Sequence, residues 1–321
     1  MKAITPDNHE HWLKLRSEDV TSTECSSLFG LSPYMTEFEL WHRKKNQEIV
    51  TLEETERMRW GNRLEAAIAN GIAEDQSWTV KPFKDYARNE ELRAGSSFDF
   101  IILSDEITSK KDGLTHIKDC LPIGLLEIKN VDALQFKEKW VIEDGQVVEA
   151  PPHIEIQVQH QLMITGFQVA YIGALVGGNS VGLIRRTPQE NIISQIKSKI
   201  TKFWDSIENN QPPAPDFERD ADFISSLYDN AEPGKTMDVC KDEEMMDLVA
   251  KYKDATAMEK AAATAKQAAK AQILTKIGDA EKIFGDSFTI SAGVVGPAQV
   301  AYERKGYRNF RVHFKKNKEA K

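Results

Sequence analysis

Long apolar runs are missing from this 321-residue chain. None approaches the ~18 residues that a membrane-crossing helix requires, so no membrane span is expected. Cysteine is scarce: Cys25, Cys120 and Cys240 stand far apart. Such spacing offers no disulfide framework and no zinc-ligand set, and it cannot supply the four thiolates of an iron–sulfur nuclease. A reducing cytoplasm is the expected setting. The opening MKAITPDNHEHW has no apolar stretch behind its lysine and is read as lacking a secretory signal. Positive charge is also in deficit, with a net charge of −8. That argues against a protein that coats nucleic acid indiscriminately, while leaving room for a local basic channel beside clustered carboxylates. The last segment reverses the sign with Arg304, Lys305, Arg308, Arg311, Lys315, Lys316, Lys318 and Lys321. Such a tail is either a solubilising end or a nucleic-acid contact. The length suffices for one large domain or two smaller ones.

What is present centres on Ile123 to Asn130, IGLLEIKN. On a strand, Glu127 and Lys129 share one side and Ile128 takes the other. Exposed, such a pair is an ordinary solvated ion pair worth well under ~1 kcal/mol. Held rigidly in a site, the acid can bind a cation and the lysine can orient or activate water. Upstream, Asp99 interrupts the apolar run Phe98 to Leu103. A buried, unpaired carboxylate is costly, so such a group is paired, metal-bound or at a strand end. The polar stretch Ser104 to Lys118 reads as a hairpin excursion, after which the chain returns through Leu121 to Lys129. Asp99 and Glu127 are thus expected on neighbouring antiparallel strands, with a hard divalent ion relieving their repulsion.

Other elements follow from pattern. TSTECSSLF is a capped helix ended by Gly30, with Thr21, Ser22 or Thr23 as cap and Glu24 in its first turn. Arg16 just before it makes a phosphate pocket the alternative to a purely structural reading. Helices are expected over Thr36 to Asn46, Thr55 to Asp75, Val131 to Ile142, His153 to Gly166 and from Thr187 to about Asn209. In the second of these, Met58, Leu64, Ala67, Ile68 and Ile72 offer the apolar face. Gly61 there implies a close neighbour, and Glu65 lies one turn on. In His153 to Gly166, Gln157 and Gln161 share a face, and His160 reads as an ordinary polar-face residue. Trp78 to Tyr86, Gln168 to Gly177 and Leu183 to Arg186 read as strands. RNEELRAGSS and Glu143 to Pro152 read as turn and loop. Gln211 to Pro215 breaks the chain. Glu243 to Lys282 then reads as a long helix or helical pair without clean heptads. A last pair of strands is expected over Phe288 to Val295 and Gln299 to Val312.

Taken together, these motifs resemble the lambda-exonuclease/YqaJ family of phage recombination nucleases, within the PD-(D/E)xK superfamily. The likeness covers roughly residues 9 to 205. WLKLRSEDVTSTE is similar to the family's W-x-x-x-R…[IV]-T-x-S-[DE], RWGNRLE to W-G-x-x-x-E, and SSFD to S-P-D. LLEIK matches L-E-x-K, and IQVQHQLMITG matches Q-V-Q-x-x-M-x-[VI]-T-G. Ser97-Phe98-Asp99 lacks the proline, and Thr23 replaces the usual serine.

The resemblance implies an α/β (α+β) fold: a restriction-endonuclease-like core over residues 1–210, a central mixed sheet flanked by helices. Residues 211–321 would form a C-terminal helical extension, terminal β-hairpin and basic tail. It implies that Asp99, Glu127, the backbone carbonyl of Ile128 and Glu65 bind metal. Lys129 would position or activate water. Gln157 would lie beside the reacting phosphate, and Arg16, Thr23 and Ser97 would join it in receiving a 5′-phosphate. The implied cofactor is Mg²⁺, two ions per site, with Mn²⁺ as substitute. The implied reaction is 5′-to-3′ digestion of duplex DNA to 3′ single-stranded overhangs. The implied partners are DNA ends, two further copies in a trimeric ring and a single-strand annealing protein, in a bacterial host cytoplasm with phage or prophage origin. A site-specific endonuclease on the same core and a catalytically silent DNA-end-binding protein are the competing readings.

Overall fold

The computed structural model describes residues 2–49, 54–104, 108–111, 114–117, 121–299, 301, 308, 310 and 312, with backbone alone at 108–111 and 114–117. The chain forms two compact units, Met1–Phe223 and Ile224–Lys321.

The first unit opens with β1 (Lys2–Ile4), α1 (His9–Glu18), β2 (Val20–Thr21) and α2 (Ser22–Cys25). A 3-10 turn, Ser26–Phe29, follows and ends at Gly30 in the left-handed conformation, φ 68°. Then come α3 (Glu37–Lys45) and α4 (Glu56–Gln76), capped by the Thr36 and Thr55 hydroxyls on the N–H groups of Glu39 and Met58. Strands β3 (Thr79–Pro82), β4 (Tyr86–Asn89), β5 (Ala94–Ser96) and β6 (Phe100–Leu103) come next. The hairpin β7 (Thr108–Lys111) and β8 (Leu114–Ile117) leads to β9 (Pro122–Val131). After α5 (Ala133–Lys139) come β10 (Val141–Glu143), β11 (Gln146–Glu149), α6 (Pro152–Thr165), β12 (Ala170–Val176), β13 (Ser180–Arg186) and α7 (Glu190–Glu208). Residues 211–223 stay with this unit: Asp220 is fully buried and accepts the Thr36 hydroxyl at 2.5 Å. Helix α8 (Ala221–Leu227) follows.

The main sheet has the order β13-β12-β9-β6-β3 and is mixed, with β12 parallel to β9 and the other pairs antiparallel. This is the expected α/β class, a mixed sheet flanked by helices. Period-two alternation sorts β9 between two cores. Leu126 and Ile128 pack with Ile68, Ala69 and Ile72 of α4, whereas Leu125 belongs to the larger core with Val158 and Leu162 of α6. Glu127 and Lys129 therefore face α6. A smaller sheet, β1-β4-β5-β2, sits beside α1 and α2.

Several expectations need correction. Trp78 to Tyr86 is not one strand: the chain bends after Pro82, and β3 and β4 enter different sheets. The stretch read as a turn holds β5, where a Cβ on Gly95 would run into the Tyr86 ring. The helix after Val131 is only α5, capped by Asp132, and the expected loop carries the β10–β11 hairpin. No side chain or backbone closes on Gly61, and Met58 and Ala67 are exposed. His160 is fully buried, because α6 is interior on nearly every side and its amides find internal partners.

The second unit contains α9 (Glu243–Ile277), a single 35-residue helix with no buried residue. The closing hairpin is β14 (Lys282–Phe284) with β15 (Thr289–Ser291), earlier in the chain than expected. The expected strand Gln299 to Val312 and the basic tail lie mostly outside the described residues. Arg308 is described, and its guanidinium donates to the Tyr228 carbonyl at 2.9 Å.

Candidate active site

The site forms where the β6–β9 ladder ends. The last pair is Phe100 with Leu126. Just before it, Asp99 lies in a bend at the strand's start, not within the strand, and its Oδ2 accepts the Ile128 N–H at 2.6 Å. The carboxylate replaces a strand partner, which resolves the conflict of an acid in an apolar run. Glu127 is only 4% exposed and is surrounded by donors. Its Oε1 accepts from Lys129 Nζ and Gln157 Nε2 at 2.6 Å each, and its Oε2 accepts from Gln161 Nε2 at 2.8 Å. Both glutamines are buried and come from one face of α6.

The electrostatics are those of crowded acids around one lysine. Burial, then repulsion from Glu127, pushes the Asp99 carboxyl well above the usual range, with Lys129 opposing. Glu65, on α4, is half-buried and is raised by burial and by Glu127. Burial pulls the Lys129 ammonium down, but Glu127 and Asp99 outweigh it and hold its pKa above the ordinary lysine value. Lys129 thus stays protonated at neutral pH.

The donor chemistry fits a hard divalent cation. The atoms are carboxylate oxygens, and a cation between Asp99 and Glu127 would relieve the repulsion that raises Asp99. The described residues gather no set of three or more His, Cys, Asp or Glu side chains able to hold an ion. Glu65 is therefore felt electrostatically without being drawn into a three-carboxylate set.

A second cluster gathers Arg16, Thr23 and Ser97. Arg16 donates to Thr23 Oγ1 at 3.4 Å. Trp12 joins the parts: the Arg16 guanidinium lies over its ring at 4.6 Å, and its Nε1 donates to Ser97 Oγ at 2.9 Å. Gln157 belongs with Glu127 and has no described bond to this cluster. Sequence reasoning left Trp12 without a role, though its four-residue spacing from Arg16 on a helix was visible. It also missed Lys44. This side chain is buried, with Nζ 2.8 Å from Glu24 Oε2 and 2.6 Å from the Arg16 carbonyl. Glu24 in turn accepts the Thr21 N–H at 2.9 Å. In sequence Lys44 is one of a run of basic residues at a helix end, and nothing marks it as the buried one.

A mixed sheet flanked by helices thus carries an acid–acid–lysine cluster where two antiparallel strands part. The chain matches the family model of the YqaJ-like viral recombinase domain over residues 11–168. It is 26% identical over 238 residues to the uncharacterized protein YqaJ of Bacillus subtilis (strain 168), covering 72% of this chain and 67% of that one. Among solved structures it is similar to an alkaline exonuclease from Laribacter hongkongensis. That match has 18% identity and a TM-score of 0.47, and covers 67% of this chain and 99% of the other. A structure of LHK-Exo in complex with dAMP matches at 17% identity, with the same TM-score of 0.47 and the same coverage, 67% and 99%. No helix among the described residues is long and apolar enough to cross a membrane.

Proposed function

We propose that this chain is a metal-dependent deoxyribonuclease that digests one strand of duplex DNA from a 5′ end. The products would be 3′ single-stranded overhangs suited to annealing-type recombination. The observation that carries the reading is Asp99, Glu127 and Lys129 meeting at one strand break, with Gln157 and Gln161 fixing the Glu127 carboxylate. Asp99, Glu127 and the Ile128 carbonyl would hold Mg²⁺, with Mn²⁺ as substitute, and Glu65 would complete the acidic site through a second ion or its waters. The chemistry such an ion supplies is a bound water of lowered pKa and neutralisation of charge building on the phosphate. Lys129 orients or activates the attacking water. Gln157 holds the phosphate without adding charge. Arg16, Thr23 and Ser97 receive the terminal 5′-phosphate, Arg16 by its forked donors. A trimeric ring with a basic channel would reconcile the net charge of −8 with DNA binding. A single-strand annealing protein is the natural consumer of the overhang.

The test is linear duplex DNA labelled separately at its 5′ and 3′ ends, with Mg²⁺, beside a closed circle. Early loss of the 5′ label with an intact circle supports the reading. A nicked or linearised circle moves it to an endonuclease. No cleavage with Mg²⁺ or Mn²⁺ leaves a DNA-end-binding protein.

A further inference from the structure

We propose that Tyr34 and His153 form an aromatic platform at the mouth of this site that stacks a nucleobase of the bound DNA end. The inference rests on the reading that the site cuts DNA. Tyr34 projects from the turn after Gly30 and is 82% exposed. That turn is tied down: Ser32 Oγ accepts the N–H groups of Tyr34 (3.2 Å) and Met35 (3.3 Å). The Tyr34 ring meets the His153 ring edge-on, with centroids 5.9 Å apart and planes at 86°. At 82% exposure, Tyr34 keeps ring surface open to a third flat group.

His153 lies in the first turn of α6, one and two turns before Gln157 and Gln161. It thus shares the helix face whose amides hold Glu127. Burial first, then the Lys129 and Lys139 charges, keep His153 below its ordinary value. A neutral imidazole and a phenol ring are sequence-tolerant stacking surfaces, because every base has a π-face. A lone exposed tyrosine needs no explanation. One held in a fixed turn, against a histidine on the helix face that holds Glu127, is placed to take the base next to the scissile phosphate.

The test uses duplex DNA with 2-aminopurine at the 5′-terminal nucleotide, bound with Ca²⁺, another hard oxygen-seeking cation, in place of Mg²⁺. Stacking quenches this base. Wild type and Tyr34→Phe should quench it, and Tyr34→Ala should not. With Mg²⁺, Tyr34→Ala should lose about tenfold in kcat/KM on the unmodified duplex, the scale of one base–aromatic stack. His153→Ala should shift both readouts in the same direction. The platform is overturned if wild type leaves the base unquenched, or if Tyr34→Ala quenches and cleaves as wild type does. Wild type that quenches through Tyr34 but never cleaves would sink the nuclease reading and leave the platform standing.

Discussion

Replacing Lys44 with methionine tests how the candidate phosphate pocket is held. Lys44 is 4% exposed at its side chain and Glu24 16%, with 2.8 Å between the charged atoms. The same ammonium donates to the Arg16 carbonyl at 2.6 Å. Lys44→Met leaves Glu24 nearly buried with a backbone N–H and no cation in contact. Breaking one side of such a pair costs ~3–5 kcal/mol. In a unit of this size each kcal/mol moves the melting temperature by about 2–4 °C, so the variant should melt roughly 6–20 °C lower. The paired variant Lys44→Met with Glu24→Gln should recover most of the loss. No charge is then stranded, and the side-chain amide oxygen that replaces the Glu24 carboxylate still accepts the Thr21 N–H. Circular dichroism melts at neutral pH read all three proteins. A single variant melting within about 2 °C of wild type, or a double variant no better than the single, would refute the argument. There is also a pH signature. Burial pushes Glu24 up, but Lys44 and Arg16 outweigh it and hold it below the ordinary glutamate range. Its contribution is therefore present at neutral pH and lost as pH falls through that lowered value, and Lys44→Met should flatten this acid slope.

Three further outcomes are expected. Lys129→Ala should abolish cleavage while keeping Mg²⁺-dependent DNA binding in gel-shift assays; retained turnover would remove its water-positioning role. Arg16→Ala should blunt the preference for 5′-phosphorylated over 5′-hydroxyl ends, and an unchanged ratio of rates would take Arg16 out of the pocket. His160, fully buried, is held down at about 4, mainly by desolvation. The unfolded chain takes up this proton first, so stability should fall between pH ~6.5 and ~4 by about 3 kcal/mol. Denaturant titrations of His160→Leu should lack that part of the decline; an unaltered slope would mean that His160 is solvated.

The sequence by itself was enough for the local grammar of this protein. Thr36, Thr55 and Gly30 mark helix ends in the primary structure because caps are short-range chemistry. The alternation in IGLLEIKN assigned Glu127 and Lys129 to one side of β9 because strand geometry allows nothing else. The same residues, through their motifs, pointed to the family. Legibility failed where partners are distant in the chain. The α6 glutamines and His160 look like a solvent-facing stripe, yet they are interior, and Glu127, Thr187 and Gln189 supply the partners of the amides. Gly61 looked like a packing contact and faces open space, since the close approaches fell elsewhere, at Gly95 under Tyr86. Trp78 to Tyr86 looked continuous, but β3 and β4 had to bend apart to serve two sheets. Lys44 is indistinguishable from its basic neighbours until folding encloses one of them with Glu24. Tertiary structure alone decided which polar groups were removed from water, because burial of a charge depends on what packs around it from other parts of the chain.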